Sequence, residues 1–168
     1  MINLMILLPF FFAVLIPFLH RLFNNKLHIG WLVLFLPAII FTFLLQYIPI
    51  TQAGDTWTSE MKWLPSFGLN FTAYVDGLSL LFSLLITGVG ALVILYSVFY
   101  MSRQREALHN FYVYLMLFMG AMLGVVFSDN VIVLYVFWEL TSISSFLLIA
   151  YWYHRRKSRD GAQKSMLI

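Results

Sequence analysis

Cysteine is absent from the 168 residues, which removes disulfide frameworks, thiolate metal sites and thiol nucleophiles together. Charge is scarce as well: ten Lys and Arg with seven Asp and Glu make 10% of the chain, where soluble domains carry about 25%. So few charges cannot clothe a water-soluble globule, and with 62% hydrophobic residues the solvent for most of this chain has to be lipid. Four scattered His offer no metal-ligand spacing, and there is neither a Gly-rich phosphate loop nor a Ser/His/Asp arrangement. Nothing argues for bond-making catalysis, a metal or another cofactor. The net charge of +3 does not point to nucleic acid, because bases in a membrane chain report orientation.

What the chain has in abundance is long apolar runs, of which a bilayer core of about 30 Å needs roughly 20 residues per crossing helix. Their lengths predict an all-α polytopic membrane protein with five complete transmembrane helices, over residues 4–19, 29–48, 77–102, 111–128 and 131–153. Met166, Leu167 and Ile168 start a sixth. Pro49 is expected to close the second helix, and Gly88 and Gly90 to bend the third, which is longer than the bilayer requires. The one long polar stretch, 50–76, alternates over Trp57, Ser59, Met61 and Trp63 and again over Leu69, Phe71, Ala73 and Val75. With Pro65 to Gly68 as turn material it reads as an external β-hairpin.

Bases fix the orientation. Arg21, Lys26, Arg103, Arg105, Arg155, Arg156, Lys157, Arg159 and Lys164 all fall inside if the amino terminus is outside, and only Lys62 does not. Residues 154–165 then form an internal basic loop. In the bilayer, one acid stands well away from any helix end: Glu139, ten residues past Asp129 and so about 15 Å down its helix. An acid there costs about 2.5–3.5 kcal/mol on insertion scales and marks a proton or ion pathway, or else a static interhelical bond. Thr141, Ser142, Ser144 and Ser145 follow it and can support a water chain or bond their own backbone. A second polar line, Asp76, Ser79, Ser83, Thr87, Gly90 and Ser97, shares one face of the third helix and reads as close helix packing or a hydrated path. Gly120 and Gly124 are a packing pair. Asp76 and Asp129 stand at outer helix ends, where they cap or collect cations.

The segments Asp76-Gly77-Leu78-Ser79, Phe118-Met119-Gly120-Ala121-Met122-Leu123-Gly124, Ser128-Asp129-Asn130, Phe137-Trp138-Glu139-Leu140-Thr141-Ser142 and Gly161-Ala162-Gln163-Lys164-Ser165 together resemble a known family. They are similar to the amino-terminal part of the A subunit of the Mrp multisubunit sodium/proton antiporters, itself similar to the large antiporter-like subunit of respiratory complex I. The resemblance covers residues 1–168 and implies that the chain is a truncated part of a longer antiporter-like domain. It implies a secondary ion transporter subunit rather than an enzyme, in a cell membrane, with other membrane subunits, sodium ions, protons and the lipid bilayer as partners. Glu139 matches the family's intramembrane glutamate, which pairs with a lysine on the seventh helix, beyond this chain. The expected proton relay or ion pathway is Glu139 with Asp129, Asp76, Ser142, Ser83 and Thr87. The alternative is a non-transporting scaffold or assembly subunit of a larger ion-transport or respiratory complex; a quinone-linked redox subunit would need haem, iron–sulfur or nucleotide motifs that are not present.

Overall fold

The computed structural model describes residues 2–23, 28–64, 69–101, 108–152 and 156–167. Five helices in it are long and apolar enough to cross a membrane. The first, α1 (Ile2–Phe23), keeps Pro9 and Pro17 inside its 22 residues. Helix α2 (Ile29–Leu45) starts at His28, whose Nδ1 accepts the Gly30 N–H at 3.1 Å and so satisfies one of the free donors of the first turn. It ends four residues before Pro49, which instead stands in the first turn of a short helix, α3 (Ile48–Gln52), where a missing N–H is tolerated. Pro49 therefore opens a helix and does not close one.

The polar stretch folds as the alternation predicts. Strands β1 (Trp57–Leu64) and β2 (Leu69–Val75) pair antiparallel, Trp57 opposite Val75 and Lys62 opposite Asn70, with an irregularity between Lys62 and Leu64. The expected turn at 65–68 lies outside the described residues. Phe71, Ala73 and Val75 are buried against the helices, and the Asn3 amide of α1 donates to the carbonyls of Ser59 and Phe71, at 3.3 Å each.

Helix α4 (Gly77–Tyr100) is continuous through Gly88 and Gly90, which lie against Phe41 and Met119. Helices α5 (Leu108–Phe127) and α6 (Val131–Ile149) follow, then a 3-10 turn at Ala150–Trp152 and helix α7 (Arg156–Leu167). The stretch expected to be a basic loop is thus helical from Arg156. Its small residues make the difference: Ala162 is buried, Gly161 lies beside Ile149, and the Ser158 hydroxyl donates to the Ile149 carbonyl at 2.6 Å, closing the end of α6. Arg156, Arg159 and Lys164 remain exposed.

Helix α5 is the hub. It packs along α1, α6 and α4, while α2 packs along α4. Between helices already in lipid there is little hydrophobic gain, so close approach at small residues carries the packing. Gly120 admits the ring of Phe10 from α1, to which an added Cβ would come within 2.8 Å. Gly124 admits Phe137 from α6 more closely still.

Candidate functional site

The contact at Gly124 positions the intramembrane carboxylate. Phe137 is buried there, and its ring also meets Phe10 and Phe71, with centroids 6.2 and 5.8 Å away. Two residues further on is about 200° further round a helix, so an inward Phe137 turns Glu139 outward. Glu139 is exposed, on a face shared with Val131, Ile132, Tyr135, Ser142 and Ile143 that no described element covers. The Tyr135 side chain, one turn earlier, interacts with the Glu139 carboxylate. Its spacing of four residues is the only trace of that partnership in the sequence, and the expected pathway does not include it.

The upper end of α6 is pinned by the hairpin. Ser128 forms a bridge with Ala73, the Asp129 N–H donates to the Thr72 carbonyl at 3.1 Å, and the Asn130 side chain caps the helix by accepting the Ile132 N–H at 2.9 Å. Asp129 is therefore not the cap it was expected to be; its neighbour is, and its own carboxylate is exposed. Asp76 does cap α4. Its carboxylate accepts the Ser79 N–H at 2.7 Å, and the Ser79 hydroxyl accepts the Asp76 N–H at 2.8 Å. The bonds from Ser79, the backbone one foremost, hold Asp76 below the ordinary carboxylate value.

The hydroxyls are mostly committed to their own helices. Thr141 donates to the Trp138 carbonyl at 2.6 Å and Ser144 to that of Leu140 at 2.7 Å, while Ser142 makes a long bond of 3.4 Å to Trp138. On α4, Ser83 and Thr87 are fully buried and donate to the carbonyls of Leu80 and Ser83, at 2.9 and 2.8 Å. Ser97 is bonded also to the Tyr112 hydroxyl at 2.9 Å. The two polar lines are not brought together: that of α4 is buried in the bundle, whereas on α6 Glu139 and Ser142 face out of it and Ser144 is turned in. Among the described residues no group of three or more His, Asp or Glu gathers where it could hold a metal ion.

An apolar five-span bundle with a hairpin braced on its helix ends and one outward carboxylate in mid-span is the build of a multi-pass membrane protein. Two family models match it: the N-terminus of chain 5 of NADH-ubiquinone oxidoreductase (complex I) over residues 61–112, and the transmembrane region of NADH:quinone oxidoreductase and Mrp antiporters over residues 128–168. Over those two stretches the chain is similar to antiporter-like membrane subunits. It is also similar to the Na(+)/H(+) antiporter A subunit of Alkalihalophilus pseudofirmus, 62% identical over 95% of this chain and 20% of that protein. It is 55% identical to the Na(+)/H(+) antiporter A1 subunit of Staphylococcus aureus, over 100% of this chain and 21% of that one. The Mrp complex of Dietzia sp. DQ12-45-1b superposes with a TM-score of 0.84 at 28% identity, over 99% of this chain and 17% of the matched one. The fold is also that of the membrane-bound sulfane sulfur reductase, an archaeal respiratory membrane complex, with a TM-score of 0.75 at 20% identity over 97% of this chain and 24% of the matched one. The chain spans about a fifth of the length of the curated relatives it matches.

Proposed function

We propose that this chain is part of a cation/proton antiporter subunit in which Glu139 takes up and releases protons, exchanged for sodium by the assembled complex. The observation that carries the reading is the placement of Glu139: about 15 Å down α6 from Asp129, on a face that the described helices leave open. A carboxylate at that depth has no water to solvate it, so it needs a partner, and the open face is where the rest of the antiporter supplies one. Tyr135 and Ser142 share that face and belong to the same path. Asp129, exposed at the hairpin end of α6, collects cations at its mouth. For Asp76, Ser83 and Thr87 the cap and the carbonyl bonds favour a purely structural role.

The test is Glu139→Gln in the full-length subunit within its complex, read as sodium-driven proton flux in membrane vesicles and normalised to assembled complex. The amide keeps the shape and loses the titratable proton, so flux collapses while assembly persists. Flux near wild type across the pH range would leave the scaffold role in its place.

The amino terminus lies outside in this reading, with the hairpin, because the bases sit at the opposite end. The native chain has no Cys, so Gln163→Cys on the exposed face of α7 and Thr58→Cys on β1 report topology directly. An impermeant reagent should label Thr58→Cys and spare Gln163→Cys in intact cells; the reverse would invert the orientation.

A further inference from the structure

We infer that the wedge between α1 and α2 is a phospholipid site that takes one acyl chain from the leaflet at the basic end of the bundle. Because α1 packs along α5 and α2 along α4, the two helices touch each other little, and a groove of about 510 Å³ remains between them. Ile29, Leu32, Leu36 and Ile39, three to four residues apart on α2, form one wall with Phe35 beside them, and Phe12 of α1 faces it. From Ile29 to Ile39 is ten residues, about 15 Å, which is half of a bilayer core of about 30 Å. Phe12 lies eleven residues before the end of α1, so both walls reach the same depth, about 16 Å.

Two properties select the occupant. Beyond His28 and Trp31 the lining is wholly apolar, and an apolar cavity stays dry, so water does not fill it. A single hydrocarbon chain ends, as the groove does, at the bilayer midplane. At the mouth of the groove stands Trp31, 46% exposed and suited to headgroup depth, at the end of the bundle where the bases attract a phosphate. The lipid would then fill the gap between the α1–α5 and α2–α4 pairs and hold their spacing.

The test uses the full-length protein in its complex, in vesicles of phosphatidylglycerol carrying a photoactivatable diazirine midway along one acyl chain, chased with excess unlabelled lipid before illumination. Adducts within residues 29–39 should survive the chase, with exchange about tenfold slower than adducts at Val14, which lies on the outer face of α1 and is 77% exposed. Leu32→Trp, which fills the groove, should abolish the slow adducts and leave those at Val14. Equal exchange at the two places would reduce the groove to ordinary bilayer contact and overturn the site. Crosslinks from 29–39 to polypeptide in place of lipid would also overturn it. The wild-type chase decides the matter alone if Leu32→Trp does not assemble.

Discussion

The polar residues of α4 and of α6 are of the same kind, small hydroxyls in an apolar helix, and the bundle treats them differently. On α4 the line is buried: Ser79, Ser83, Thr87 and Ser97 let neighbouring helices approach, and each hydroxyl is spent on a nearby carbonyl or tyrosine. On α6 the hydroxyls are divided, Ser144 buried and Ser142 exposed, and the exposed side carries a carboxylate, Glu139, that no backbone carbonyl can satisfy. A row of hydroxyls in a membrane helix therefore says little about transport until its face is known. A carboxylate among them says much more, because its desolvation has to be met by a partner or by function.

Mutation can break this contrast at several strengths. The largest expected difference is between Glu139→Gln, which should stop exchange, and the pair Ser83→Ala and Thr87→Val, which should keep it near wild type in the same vesicle flux measurement. Each of the latter loses only a bond to a carbonyl of its own helix, which adds little to stability. A loss of exchange in Ser83→Ala or Thr87→Val with assembly intact would make α4 a pathway after all.

Next comes the residue that sets the rotation of α6. Gly124→Leu forces the Phe137 ring out of its seat, and overpacking of this kind costs about 1–3 kcal/mol. The complex should come apart at lower temperature, and exchange should fall in what remains assembled, because Glu139 moves with Phe137. Normal flux in such a variant would show that the position of Glu139 does not depend on that contact.

The smallest effect belongs to the cap of α4. Asp76→Ala should destabilise by about 1 kcal/mol and Asp76→Asn by less, since Asn also caps. Because the folded carboxylate titrates below its ordinary value, its contribution is present above the unfolded value and is lost as pH falls through the folded one. The gap in melting temperature between wild type and Asp76→Ala should accordingly be widest near neutrality and close in acid. A constant gap would assign the effect to packing.

The spans are legible in the sequence because length and apolarity are local properties, and the hairpin because alternation over Phe71, Ala73 and Val75 has one meaning at a membrane surface. The boundaries are less so. Hydropathy cannot distinguish a basic loop from a basic helix that uses Ser158, Gly161 and Ala162 to pack, nor tell that Pro49 would begin a helix. Asp129 and Asn130 are both good caps, and only the backbone decides which one stands at the helix start.

The sequence by itself determined that five helices cross, that a hairpin joins the second and third of them, and how deep Glu139 lies, since each follows from counting residues along the chain. Only the tertiary structure decided which way each polar face turns. Helix α6 is apolar on nearly every side, so hydropathy leaves its rotation about its own axis free. The rotation is set by the missing side chain at Gly124, into which Phe137 fits and from which Glu139 is turned away.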